Sequence, residues 1–112
     1  MATWLITGCS TGLGRALAQA VLEHGDNVVA TARDAAKVKD FGRSHPNSAL
    51  ALSLDVTDHR QVAETVHAAE DRFGSVDVLV NNAGYGFRAA VEEAEDNEFQ
   101  VLFATNFFAQ LQ

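Results

Sequence analysis

Eight residues near the start of the chain, Thr7-Gly8-Cys9-Ser10-Thr11-Gly12-Leu13-Gly14, place three glycines between an apolar run and an amphipathic one. The chemistry open to such a stretch is anion binding. One glycine allows a tight turn, a second lets backbone approach a pyrophosphate, and a third lets a helix pack closely. The preceding run Thr3–Thr7 reads as a strand, and Leu13, Ala16, Leu17, Ala20 and Val21 recur at helical spacing until Gly25 breaks the pattern. A glycine loop that opens a helix presents unpaired N–H groups and the positive end of the helix dipole to a phosphate. A structural turn without a ligand is the alternative reading of the same glycines.

Further along, Asn81-Asn82-Ala83-Gly84 follows another apolar run, Val76-Asp77-Val78-Leu79-Val80. Asp55-Val56 ends the run Leu50–Leu54, and Arg33-Asp34 follows Val28-Val29-Ala30-Thr31-Ala32. Asn106 stands three, four and seven residues from Phe103, Leu102 and Phe99, so an amide faces the apolar side of a predicted last helix. A buried amide finds partners or costs on the order of 1–3 kcal/mol. It reads either as a satisfied core residue or as a group with a task.

The elements that must hold these residues alternate from one end to the other. Asp34 can cap a short helix in which Val38 and Phe41 share a face, with Gly42 as its stop. His45-Pro46-Asn47-Ser48 is a turn. Val62, Val66, Ala69 and Phe73 mark one face of a helix capped by Thr57 or Asp58 and stopped by Gly74. The order is β-α-β-α-β-α-β-α. Strands separated by helices need crossover connections, and continuous apolar strands imply helices on both faces. The fold class is therefore α/β, an open parallel sheet with flanking helices.

Composition narrows the function. The chain of 112 residues is expected to form one domain, and its 47% hydrophobic and 21% charged content suits a globular protein. A net charge of −7 repels polyanions, so general nucleic-acid binding is disfavoured. Cys9 is the sole cysteine, which rules out an intrachain disulfide or a cysteine-rich metal site. No apolar run approaches the roughly 18 residues of a membrane span, and the start MATWLITG lacks a basic secretory head. These features lead us to expect a cytoplasmic protein that neither enters a membrane nor binds a metal.

The Gly-x3-Gly-x-Gly spacing, together with Asn-Asn-Ala-Gly after the fourth strand, resembles the short-chain dehydrogenase/reductase family over essentially the whole chain. The resemblance implies a Rossmann-type sheet ordered 3-2-1-4, with a dinucleotide across the carboxyl ends of the strands. It implies a cofactor site built from Gly8, Ser10, Thr11, Gly12, Leu13 and Gly14 at the phosphates. Asp55 and Val56 would lie at the adenine, Asn82 would be the asparagine that bridges the sheet, and Ala83 and Gly84 would let the nicotinamide ribose come close to backbone. It also gives Asn106 the place of the active-site asparagine that holds a water in a proton relay. For Asp55 the alternative is that it only finishes a strand.

The choice of cofactor turns on the end of the second strand. Folds that select NAD place an acid there for the ribose 2′-hydroxyl. Here that position is Ala32, followed by Arg33, whose planar guanidinium suits a 2′-phosphate. Asp34 is the competing acid, with helix capping as its simpler role. NADP is expected over NAD.

The family reaction, hydride transfer between nicotinamide and a carbonyl or alcohol carbon, needs a Tyr-x3-Lys pair and a serine. No Tyr-x3-Lys occurs in the chain: Tyr85, the sole tyrosine, is followed four places later by Ala89, and Lys37 and Lys39 belong to the short helix near the adenosine side. Residues 1–112 thus read as the N-terminal part of a single NAD(P)-binding domain, incomplete relative to the family domain and inactive alone. The other class is a non-catalytic nucleotide-binding or interaction module. Tyr85, Phe87 and Arg88 could edge a pocket for a small-molecule carbonyl or alcohol substrate. A homo-oligomer is expected, because strand four would be an open sheet edge beside an apolar stripe of Phe99, Phe103 and Phe107.

Overall fold

A computed structural model describes residues 1–82, and residues 100–103 by their backbone. Its elements are β1 (Thr3–Ile6), α1 (Gly12–Glu23), β2 (Asn27–Ala32), a single 3-10 turn (Ala35–Lys37), α2 (Lys39–Ser44), β3 (Ala49–Ser53), α3 (His59–Phe73), β4 (Val78–Asn81) and β5 (Gln100–Phe103). The sheet order is β3-β2-β1-β4-β5. Every pairing is parallel, in registers such as Leu5 with Val29 and Leu79. The expected 3-2-1-4 order and flanking helices are present.

Side chains alternate across the strands, and each face builds its own core. Ile6, Val28, Ala30 and Val80 pack with Leu17, Ala18 and Val21 of α1 and with Val38 and Phe41. On the opposite face Leu5, Val29 and Leu79 pack with Val62, Val66 and Ala69 of α3. The expected α3 face is thus the observed one. Asp58 caps this helix, accepting from the backbone N–H groups of Arg60 at 3.0 Å and Gln61 at 3.3 Å, and Gly74 ends it.

Three local expectations are corrected. The buried face of α1 is Gly14, Leu17, Ala18, Val21 and Leu22, whereas Leu13 and Ala16 are exposed. The cause is Gly14: this bare position sits hard against the loop before the helix, which fixes the helix rotation about its axis. Gly42 does not stop the short helix, since α2 continues to Ser44 and Gly42 lacks the positive φ of a helix stop. Val38 and Phe41 are nevertheless both buried, as expected.

The third correction concerns the last predicted helix. Residues 100–103 form β5, whose backbone pairs with β4 from Val78↔Gln100 to Asn81↔Phe103. A short apolar run satisfies helical and strand spacing alike, and pairing satisfies the outer N–H and C=O groups of β4. Strand four is therefore not an open edge, and the outer strand of the sheet on that side is β5. Phe99, Asn106 and Phe107 lie outside the described residues.

The amino ends of the strands are tied by carboxylates. Asp77 Oδ2 accepts from the Thr3 N–H at 2.8 Å. Asp26 accepts from the Ala2 N–H at 3.1 Å and from Trp4 Nε1 at 3.2 Å. Both acids thereby stitch the first strand to segments that precede β2 and β4.

Candidate functional site

The loop after β1 is fastened on both sides. The Thr7 N–H donates to the Val80 carbonyl at 3.1 Å, and the Thr7 hydroxyl accepts from the Asn82 N–H at 3.0 Å. The Asn82 side-chain amide donates to the Gly8 carbonyl at 3.1 Å. On the β2 side, the Cys9 N–H donates to the Thr31 carbonyl at 2.9 Å and the Thr31 hydroxyl to the Ile6 carbonyl at 3.0 Å. Asn82 thus bridges the end of β4 and the loop after β1. Cys9 is buried beneath the loop, and that burial pushes its thiol up to about 12, so it stays neutral and inert at ordinary pH.

Gly14 is a close-approach glycine. A Cβ there would lie 2.2 Å from the Gly8 carbonyl oxygen and 2.5 Å from Asn82 Nδ2. Gly12 is required for the opposite reason: its φ of 62° disfavours a side chain, yet open space surrounds it. Thr11 occupies the cap position of α1 in an extended conformation and makes no side-chain cap hydrogen bond, and no acid stands in the first turn. The N-terminus of α1 is thus left to an external anion, which its dipole and N–H groups favour.

A cleft of about 490 Å³ adjoins this loop across the carboxyl ends of β1, β2 and β3, lined by Gly8, Ser10, Thr31, Ala32, Arg33, Asp34, Lys37, Leu54, Val56 and Thr57. It lies on the β2–β3 side of β1, and the strand order reverses on the other side of β1, toward β4, the kind of switch point at which open α/β sheets bind ligands. The Arg33 side chain is 81% exposed and stands 3.9 Å from Asp55 Oδ1. Asp34 accepts from the Ala36 N–H at 3.0 Å, so its capping role is real.

Asp55 has a local engagement. Its Oδ1 accepts from the Thr57 hydroxyl at 2.7 Å and the Thr57 N–H at 3.0 Å. These two bonds, with Arg33 as a lesser cause, hold its carboxyl below the ordinary value of 3.8. The Asp55 N–H donates to Gln61 Oε1 at 2.9 Å. Val56 and Thr57 face the cleft, while Asp55 buttresses the turn beneath them.

Of the residues singled out in the sequence, Gly8, Ser10, Arg33 and Val56 line one cleft, and Thr11, Gly12, Leu13 and Gly14 form the helix opening beside it. Asn82 braces the loop. Ala83, Gly84, Tyr85, Phe87, Arg88 and Asn106 lie outside the described residues. Sequence reasoning assigned no contact to Thr31, Lys37, Leu54 or Thr57. For Lys37 a signal existed: residues three apart eclipse in a 3-10 turn, so a cap at Asp34 brings Lys37 to the same side.

A strapped glycine loop, an uncapped helix start and a cleft across the carboxyl ends of parallel strands are the features of a dinucleotide-binding α/β domain. The family model for short chain dehydrogenase matches residues 2–112, and the chain belongs to that family. Oxidoreductase BOA17 from Botryotinia fuckeliana is 44% identical over 100 residues, covering 86% of this chain and 35% of that protein. Among solved structures, the 3-ketoacyl-(acyl-carrier-protein) reductase from Brucella melitensis complexed with NADH superposes with a TM-score of 0.70 at 37% identity, covering 74% of this chain and 34% of that one. The alcohol dehydrogenase from Thermococcus sibiricus complexed with 5-hydroxy-NADP gives 0.69 at 32% identity, covering 75% and 37%. The chain spans about a third of the length of these relatives.

Proposed function

We propose that residues 1–112 are the nucleotide-binding part of an oxidoreductase that moves hydride between a nicotinamide and a small carbonyl or alcohol substrate, with NADP(H) preferred over NAD(H). The observation that carries this reading is the cleft running from the glycine loop to Arg33 at the end of β2. The residues present fit a dinucleotide: an anion-ready helix start lies near Gly8 and Ser10, and a cation stands where Ala32 leaves no acid for a ribose hydroxyl. Neighbours that carry NADH and 5-hydroxy-NADP support a nicotinamide cofactor of either kind. The preference for NADP rests on Arg33.

When bound, the nicotinamide supplies the hydride donor or acceptor. The chain's own contribution is to bind and orient: Gly12 and the α1 N–H groups take the phosphates, Val56 borders the adenine, and Asn82 holds the loop to β4. Asn106 belongs to the proton relay on this reading. Because the 112 residues contain no Tyr-x3-Lys, the stretch alone lacks the general acid and reduces no carbonyl. Among the described residues no helix is long and apolar enough to cross a membrane.

Calorimetric titration with NADP and NAD tests the reading. Arg33→Ala removes one charge-assisted contact of about 1.5–3 kcal/mol, a loss of roughly 10- to 150-fold for NADP. NAD affinity should move little. Equal affinity of the unmutated chain for the two cofactors would remove the assignment.

A further inference from the structure

Arg33 is not alone at the adenosine end of the cleft. Lys37 lines the same cleft from the 3-10 turn that follows β2. Its side chain is exposed and makes no ion pair among the described residues. The turn that carries it is fixed from three sides. Asp34 caps it, Val38 and Phe41 anchor the following residues in the core, and Arg15 Nη1 donates to the Lys37 carbonyl at 3.3 Å. Arg15 is itself held by an ion pair with Asp40, and its guanidinium stands 4.7 Å from the centre of the Phe41 ring. The backbone under Lys37 therefore has a set place relative to α1 and the glycine loop.

The local charge explains what Lys37 is for. Arg33 stands beside two acids, Asp55 at 3.9 Å and Asp34, its neighbour in sequence. Carboxylates beside a guanidinium reduce the net attraction it offers a doubly charged phosphate. A second cation restores it. We propose that Lys37 acts with Arg33 as a two-cation clamp for a phosphate on the ribose 2′-oxygen, and so sets the cofactor preference. This rests on the NADP reading and adds to it a residue that the end of β2 alone does not supply. Arg33 presents the planar fork, and Lys37 presents a point charge whose flexible stem follows the phosphate.

Two small probes differ only in the group at issue: adenosine 2′,5′-bisphosphate and adenosine 5′-monophosphate. With the full chain, Lys37→Gln should weaken the bisphosphate by roughly 5-fold, as expected for an exposed charge pair, and leave the monophosphate unchanged. Lys37→Arg should retain the bisphosphate affinity. Lys39→Gln, an exposed lysine of the next turn that does not line the cleft, should alter neither. Rising salt should erase the Lys37 effect. If Lys37→Gln weakens both probes equally, or neither, the clamp is wrong. A chain in which Arg33→Ala lowers bisphosphate affinity and Lys37→Gln does not would keep the NADP reading and lose only the clamp. An unmutated chain that binds both probes equally would lose both.

Discussion

The two ends of the sheet treat charge in opposite ways. At the amino ends, Asp26 and Asp77 receive hydrogen bonds from Ala2, Trp4 and Thr3, and their charge is consumed in tying strands together. At the carboxyl ends, Arg33 and Lys37 face an open cleft, and α1 begins without a side-chain cap. The acids there, Asp34 and Asp55, accept hydrogen bonds from residues two positions ahead, and Asp55 also stands 3.9 Å from Arg33. One end is a closed seam, and the other is an open cleft bordered by two cations. Stability and ligand binding should therefore respond to different residues, and substitutions at each end can break or sharpen that division.

The largest effect is expected at Gly14, where the site and the fold meet. Gly14→Ala places a Cβ against the Gly8 carbonyl and the Asn82 amide, both fastened groups rather than flexible tips. Overpacking of this kind costs about 3 kcal/mol. Denaturant unfolding should show the loss, with nucleotide affinity falling in parallel. Gly12→Ala meets no neighbour and incurs only its unfavourable φ, about 1–2 kcal/mol. If the two variants were equally stable, close approach would not be what selects glycine at position 14.

A smaller effect isolates the amino end. Asp77→Ala leaves the N–H of Thr3, a residue only 1% exposed, without its acceptor. That should lower stability by about 1–3 kcal/mol while leaving the ratio of NADP to NAD affinity unchanged. Arg33→Ala should do the reverse, with stability held within about 0.5 kcal/mol. Should Asp77→Ala alter the cofactor ratio, the two ends would be coupled and the division would fail.

The sequence disclosed the alternation of elements, the 3-2-1-4 order and the glycine loop because these depend on local spacing and on a family-specific pair of motifs. It could not tell Asp26 and Asp77 from Asp34 and Asp55. All four are acids at strand boundaries, and only three-dimensional placement shows whether a backbone N–H from another strand reaches them. The face of α1 was misread by the same limit. Leu13 and Ala16 fit the helical period, but the contact of Gly14 with Gly8 turns them outward. Gln100–Phe103 became a strand because pairing with β4 outweighed a helical spacing that so short an apolar run cannot specify. Lys37 went unassigned because its position in the cleft depends on a 3-10 turn rather than on a motif.

The smallest expected effect decides whether Arg33 is free for a ligand or engaged by Asp55. The hydrogen bonds from Thr57 are the main cause of the lowered Asp55 carboxyl, and Arg33 contributes less. A carboxyl lowered in the folded state adds stability above its ordinary value of 3.8, and that stability is lost as pH falls through the folded value. Both Asp55 and Arg33 are too exposed for the change to affect unfolding much, so the measurement must read the group itself. An NMR titration of the Asp55 carboxyl should show Thr57→Val, which keeps the backbone donor, raising it toward 3.8. Arg33→Ala should raise it by a smaller step. The reverse order would mean that Arg33 and Asp55 form a closed pair at the carboxyl end, as Thr3 and Asp77 do at the other, and the contrast between the two ends would rest on Lys37 and the helix start alone.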